Sequence, residues 1–165
     1  MDLKIIDIGW AEFENMAISL ASQVVDSNWK PDYVVGIVRG GVVPATVISH
    51  QLAVPMWALR VSLRDGGVDT CETNCWMPDD VVAGKNILIV DDINDSGNTL
   101  AWIRNDWQSS MDNDEQDDWW HDRVRVAVLV DNLGSDENVD YVATVIDKRA
   151  EPSWVSFPWE RQLTA

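Results

Sequence analysis

The 165-residue chain predicts an α/β domain, a twisted and mainly parallel sheet flanked by helices. Two patterns carry that expectation. Short apolar runs without polar alternation, YVVGIV (33–38), NILIV (86–90) and VRVAVLV (124–130), suit strands covered on both faces. Between such runs lie segments whose apolar residues recur every three or four positions, the spacing of one helix face. The length fits one domain, 1–165, with its own core, and no repeat or linker divides it.

In chain order, Trp10 to Val25 sets Trp10, Phe13, Met16, Ala17, Leu20, Ala21 and Val24 on one helix face. After Pro31 comes the strand 33–38. Arg39-Gly40-Gly41 breaks it, VVPATVISHQL (42–52) follows as a helix, and VPMWALRV (54–61) reads as the next strand. Residues 64–80, RDGGVDTCETNCWMPDD, carry glycines and small polar residues with little periodicity. They read as a long loop or a short hairpin, and a loop of that length inside a compact domain is commonly functional. NILIVDD (86–92) is the following strand, then a turn and a helix from about Asn98 to Gln108. An acidic segment, 109–122, leads to the strand 124–130, to YVATVI (141–146) and to SWVSFPWE (153–160). Ligands of open parallel sheets sit at the carboxyl ends of the strands, so the loops after Val38, Val61, Val90 and Val130 should face one site.

With 28 acidic against 12 basic residues and a net charge of -16, the chain lacks the basic face that nucleic-acid binding requires. The same balance is compatible with a small anionic ligand held by backbone N–H groups, one or two arginines and a bridging metal. No window approaches the roughly 18 apolar residues of a membrane span. The segment MDLKIIDIGW has no basic stretch leading into an apolar one, so neither membrane nor secretion is expected and the reading is cytoplasmic. Cys71 and Cys75, with His50 and His121 remote in sequence, are too few and too scattered for a structural zinc site, and they read as ordinary thiols.

The chemistry concentrates in ILIVDDINDSGNTL (87–100). An apolar strand ends in Asp91 and Asp92, and Asp95-Ser96-Gly97-Asn98-Thr99 opens the next helix. Small residues around a glycine at a helix start can wrap successive N–H groups around a phosphate, with the helix's positive end behind them. A plain cap, with Asp95 or Ser96 as N-cap, would account for one acid and one glycine. It leaves the neighbouring carboxylates unexplained, because these repel unless something such as a pair of vicinal hydroxyls bridges them.

IVDDINDSGNTL resembles the phosphoribosyl pyrophosphate motif of type I phosphoribosyltransferases, an apolar strand, two acids and a D-S/T-G-x-T loop. The resemblance implies that family's Rossmann-like fold, with a small hood built from the terminal segments. It implies that Asp91 and Asp92 receive the ribose 2- and 3-hydroxyls and touch magnesium directly or through those hydroxyls or water. Residues Asp95, Ser96, Gly97, Asn98 and Thr99 would enclose the 5-phosphate, and Asp95, near the reacting edge, is the candidate to take the proton from the base nitrogen. GIVRGGVVP (36–44) is similar to the family's pyrophosphate loop, which makes Arg39 and Gly40 diphosphate ligands. ALRVSLRDGG runs into the segment that resembles the family's lid, with Arg60 and Arg64 as further candidates for the diphosphate.

SWVSFPWE is similar to a signature of the xanthine, guanine and hypoxanthine group, which would lay Trp154 on a purine and bring the Val155 backbone to its edge. Trp154, Phe157 and Trp159 equally suit closing a core. Where much of that group has a lysine after the fourth strand to read the 6-oxo group, this chain has Asp131 and Asn132. Asn132 could donate to a base and Asp131 could accept from one. The resemblance implies transfer of phosphoribose from phosphoribosyl pyrophosphate to a free purine, by a homodimer or homotetramer. A nucleotide-sensing regulator, or an enzyme for adenine or a pyrimidine, are the alternatives on the same fold.

Overall fold

The computed structural model describes residues 3–62, 70–72, 76–111 and 119–161. A central sheet of six strands holds β2 (Tyr33–Val38), β3 (Met56–Ser62), β4 (Thr70–Glu72), β5 (Ile87–Asn94), β6 (Val124–Asn132) and β7 (Tyr141–Ile146). Their spatial order is β4-β3-β2-β5-β6-β7, and only β4 runs antiparallel to its neighbour. The five parallel strands are thus threaded outward in both directions from the β2–β5 pair, and the carboxyl ends of β2 and β5 flank a topological switch point. A separate two-stranded parallel sheet joins β1 (Lys4–Asp7) to β8 (Ser153–Ser156).

The strands bury both faces. Ile87, Leu88, Ile89 and Val90 are all fully inaccessible to solvent. Leu88 and Val90 point into the layer under α1 (Trp10–Asp26) and α2 (Val42–Leu52), with Phe13, Leu20, Ile48 and Phe157. Ile87 and Ile89 point the other way, into a layer with Leu100, Ile103 and Trp107 of α4 (Asn98–Ser110) and Met77 and Val81 of α3 (Trp76–Val82). Period-two alternation with apolar residues at every position is what a sheet sandwiched between helix layers demands. Val42 and Ala45 of α2 lie so close over Gly36 that a Cβ there would meet the Ala45 methyl at 2.8 Å.

The predicted helices at 10–25 and 42–52 are α1 and α2, and the predicted strands match β2, β3, β5, β6 and β7 to within about two residues at each end. Two elements, the helix at 76–82 and the strand β1, differ from expectation, and a third decides between two alternatives. Residues 76–82 are a helix rather than part of a loop, because Met77 and Val81, one turn apart, are both buried and Pro78 sits in the first turn, where its missing N–H is harmless. Thr70–Glu72 pairs back on Arg60–Ser62, which realises the hairpin alternative for the segment before it. β1 was not anticipated, since its four residues are mostly exposed and owe their extended form to pairing with β8. Arg64 and Cys75 lie outside the described residues.

No helix among the described residues is long and apolar enough to cross a membrane. Trp107 is fully buried between α4 and the sheet. Trp107→Ala should therefore destabilise the fold by about 3–5 kcal/mol, read as a lowered denaturant midpoint with an unchanged slope.

Candidate active site

The loops that leave the switch point bring the predicted residues to one edge. Arg39 and Gly40 follow β2, while Asp91 and Asp92 lie inside β5, which continues two residues past them to Asn94. The acids are thus held in the ladder rather than standing beyond its end: Asp91 is in register with Val128 and Ile93 with Val130. A ladder position fixes each Cβ to one face of the sheet and leaves the side chain little freedom. Asp91 Oδ1 accepts the Asp92 N–H at 2.9 Å, and Asp92 Oδ1 accepts the Ile93 N–H at 2.8 Å. One oxygen of each carboxylate is thereby tied to the chain. The other Asp92 oxygen lies beneath Gly40 so closely that a Cβ on Gly40 would overlap it.

Burial pushes the Asp91 carboxyl well above the ordinary carboxylate range, and the Asp92 charge beside it pushes further. Burial also raises Asp92, offset in part by the Ile93 N–H and aided by the Glu160 charge. Neighbouring carboxylates out of water are costly when both are ionised, and donors such as hydroxyls or a cation would relieve that cost.

At the start of α4, Gly97 is the N-cap in the left-handed region, with φ 88°. Gly97 has no side chain to cap the helix, Ser96 Oγ accepts the Asn98 N–H only at a long 3.4 Å, and Asp95 makes no capping bond, so the capping reading does not account for Asp95. Glycine is required twice here, by its φ and by crowding, since a Cβ would meet Ser135 Oγ at 2.8 Å and the Glu137 N at 2.9 Å. A cavity of about 270 Å³ lies over this helix start, lined by Asp91 to Leu100 and Val128. Its floor offers uncapped N–H groups and the positive end of a 13-residue helix. The turn is braced from behind by Asp136 N donating to Ser96 O at 3.2 Å and by Arg104, which grips Glu137 with two hydrogen bonds of 2.8 and 2.7 Å.

A second cavity, of about 800 Å³, is lined by Arg39, Gly40, Asp92, Trp154, Ser156, Trp159, Glu160 and Arg161. Asp92 lines both cavities, so they meet at that carboxylate. Trp154 is 57 % exposed and presents its ring to this space, whereas Phe157 is buried and Trp159 half-buried, stacked on each other at 5.1 Å. The core-closing alternative thus holds for Phe157 and Trp159 and not for Trp154. Val155 is buried, and β8 pairs only with β1 among the described residues, which leaves its other edge unpaired. Arg60, at the end of β3, is exposed and lines neither cavity.

The carboxyl end of β6 departs from expectation, since Asp131 and Asn132 are its last two residues. Asn132 is buried and spends its amide inside the chain: Nδ2 donates to Asp95 O at 2.9 Å and Oδ1 at 3.2 Å, and its own Oδ1 accepts from Gly134 N and Lys148 N. It positions Asp95 instead of offering a donor to a base. Asp131 accepts from Asn94 Nδ2 at 2.8 Å. Asp95 itself remains half-exposed, and its Oδ2 accepts from Lys148 Nζ at 2.8 Å. Lys148 went unnoticed in the sequence because nothing in the DKRAE segment marks a site. Arg161, which donates to Asp7 at the rim of the larger cavity, carried no motif either.

A glycine–arginine turn over a pair of strand-borne aspartates, beside an uncapped helix start, is the layout of a protein that holds a phosphorylated sugar. The family model of the phosphoribosyl transferase domain matches residues 9–164, and the chain belongs to that family. It is 24% identical over 160 residues to the xanthine-guanine phosphoribosyltransferase of Idiomarina loihiensis, covering 94% of this chain and 87% of the relative. It is 28% identical over 142 residues to the enzyme of the same name from Cereibacter sphaeroides, covering 79% and 70%. The fold matches a purine phosphoribosyltransferase from Pyrococcus horikoshii with a TM-score of 0.72 at 21% identity, covering 98% of this chain and 97% of that one. A Neisseria gonorrhoeae protein solved with bound ppGpp matches at 0.73 and 22%, covering 99% and 93%.

Two outcomes follow from the acids. Asp91 sits above its ordinary carboxylate range when folded, so its protonated form is favoured by folding. The matching stability is present below the unfolded-state value and is lost as pH rises through the folded-state one. Asp91→Asn should raise the stability of the ligand-free protein at pH 7 by about 1 kcal/mol, a gain that shrinks as pH falls through the folded-state value of Asp91 and is gone by about pH 4. Thermal melts across that range check it. Gly40→Ala should turn the Asp92 carboxylate away and lower kcat/KM by about 100-fold while the melting temperature barely moves, measured by diphosphate release.

Proposed function

We propose that the protein transfers the 5-phosphoribosyl group from phosphoribosyl pyrophosphate to a ring nitrogen of a free purine, with the 6-oxopurines hypoxanthine, guanine and xanthine as the expected bases. The observation that carries this reading is the meeting of the two cavities at Asp92: one suited to a phosphate and ribose, the other bounded by an exposed tryptophan. The curated relatives named for xanthine and guanine point the same way.

In this reading the uncapped start of α4, from Asp95 to Thr99, binds the 5-phosphate through main-chain N–H groups. The free oxygens of Asp91 and Asp92 accept the ribose hydroxyls, which removes the repulsion that burial imposes on them. Arg39 and the main chain at Gly40 hold the diphosphate across the same carboxylates, and Trp154 stacks on the base. The base nitrogen's lone pair attacks C1, the bond from C1 to the diphosphate oxygen breaks, and the proton leaves the base for Asp95. Developing positive charge at C1 is matched by nearby carboxylates, as in other displacements at an anomeric carbon.

Magnesium fits these residues. Among the described residues no group of three or more His, Cys, Asp or Glu side chains could hold a metal ion alone. A cation that keeps its waters and binds one or two carboxylates together with substrate oxygens suits the outer oxygens of Asp91 and Asp92. When bound it would neutralise diphosphate charge, which a protein of net charge -16 has few cations to do.

Diphosphate release measured with phosphoribosyl pyrophosphate, magnesium and a panel of bases tests the proposal. Turnover with 6-oxopurines is expected, and nucleotide binding without turnover of any base would replace the enzyme with a sensor. Asp95→Asn should lower kcat by about 10²–10⁴-fold while the KM for phosphoribosyl pyrophosphate stays near the parent value. An equal loss in both would remove Asp95 from the proton transfer.

A further inference from the structure

The turn that starts α4 rests on the loop between β6 and β7, and Glu137 of that loop makes the close contact. A Cβ on Gly97 would lie 2.9 Å from Glu137 N and 3.1 Å from Glu137 Cβ, so Glu137 packs directly on the left-handed cap. Its main chain is fixed from β5. Asn94, 3% exposed and the last residue of the strand that carries Asp91 and Asp92, donates through Nδ2 to Glu137 O at 2.8 Å, while its Oδ1 accepts from Ser135 Oγ at 2.9 Å. Ser135 Oγ accepts in turn from Glu137 N at 3.2 Å. The Glu137 side chain then meets Arg104, about two turns along α4 from Gly97, through the two hydrogen bonds of 2.8 and 2.7 Å.

The two partners are unequal. The Glu137 side chain is 9% exposed and the Arg104 side chain 39%. A guanidinium that loses its partner here can turn to water, whereas the carboxylate stays buried and uncompensated. Arg104 supplies both hydrogen bonds that the Glu137 carboxylate accepts among the described residues. Without them a negative charge would stand behind the turn and oppose any anion in front of it. Arg104 is not itself placed as a phosphate ligand. It lines neither cavity, and both terminal nitrogens of its guanidinium are engaged by Glu137, so its influence runs through the turn.

We propose that Arg104 is a positioning residue for the 5-phosphate: by neutralising and gripping Glu137 it keeps the turn at Gly97 in place and free of opposing charge. This rests on the phosphoribosyl reading above, in which that turn takes the 5-phosphate. It extends the phosphate site to a helix position and a loop residue that touch no substrate, joined to the strand of Asp91 and Asp92 through Asn94.

The test is calorimetric titration with ribose 5-phosphate, and separately with magnesium diphosphate, of the wild type, Arg104→Met, Arg104→Lys, Glu137→Gln and the double variant Arg104→Met/Glu137→Gln. Arg104→Met should weaken ribose 5-phosphate by about 10- to 100-fold and leave diphosphate unchanged. In steady-state kinetics it should raise the KM for phosphoribosyl pyrophosphate by a similar factor with kcat near the parent value. Arg104→Lys, which keeps the charge and loses the fork, should weaken ribose 5-phosphate by about 3- to 10-fold. Glu137→Gln, which leaves only a cation able to reach water, should cost less than about 5-fold. The double variant should bind ribose 5-phosphate more tightly than Arg104→Met, because no buried charge is left. Unchanged affinity for ribose 5-phosphate in Arg104→Met, or in Arg104→Lys where Arg104→Met does not fold, overturns the assignment of Arg104. So does an equal loss for diphosphate, or a double variant weaker than Arg104→Met, and each of these leaves the phosphoribosyl reading intact. A wild type that binds no ribose 5-phosphate overturns both.

Discussion

The approach of the Gly40 main chain to the Asp92 carboxylate governs the geometry of the whole edge. It brings the turn after β2 down onto β5 at the one place in the sheet where adjacent strands lead their connections apart, and it leaves no room for a side chain. With that contact in place, a diphosphate held over Gly40 and a ribose held over Asp91 and Asp92 are neighbours by construction. The two cavities share Asp92 for the same reason. A sheet buried on both faces is what makes so close a contact repeatable, because β2 and β5 are fixed by helix layers above and below and cannot drift apart.

Much of this was legible in the residues. The strands declared themselves because burial on both faces forbids polar interruption, and α1 did so because its inward stripe is complete from Phe13 to Val24. The pyrophosphate motif was readable because it packs its chemistry into consecutive residues, where spacing alone fixes the relation between strand, acids and turn. What escaped depends on contacts between remote segments. β1 is four residues of unremarkable sequence that become a strand only against β8. Lys148 acquires meaning only when Asn132 and Asp95 are seen to converge on it. Asn132 escapes on the same ground: a side-chain amide at a strand end looks available until its partners within the chain are counted.

The acidity of the chain, hard to reconcile with an anionic substrate by charge counting, is reconciled by position. The groups suited to phosphate are main-chain N–H groups and the guanidinium groups of Arg39 and Arg161, set along the edge. In the proposed reading the carboxylates at the centre face the sugar's hydroxyls. Their destabilisation in the free protein is of the kind active sites commonly carry, and it gives substrate binding a favourable contribution that a neutral pair would lack.

The pairing of β1 with β8 joins segments from opposite ends of the chain, and Trp154 is in register with Ile5 within it. Closing the wall of the larger cavity therefore requires two segments remote in sequence to meet, which encloses a long loop. The strands of the parallel sheet and the turn at Gly97 all precede Asp147, while Val155 and Phe157 pack from beyond β7 into the layer under α1 and α2. Opening the β1–β8 pair would loosen the wall that carries Trp154 without breaking the β2–β5 ladder, so hydrogen exchange should find the two sides of the larger cavity in different cooperative units.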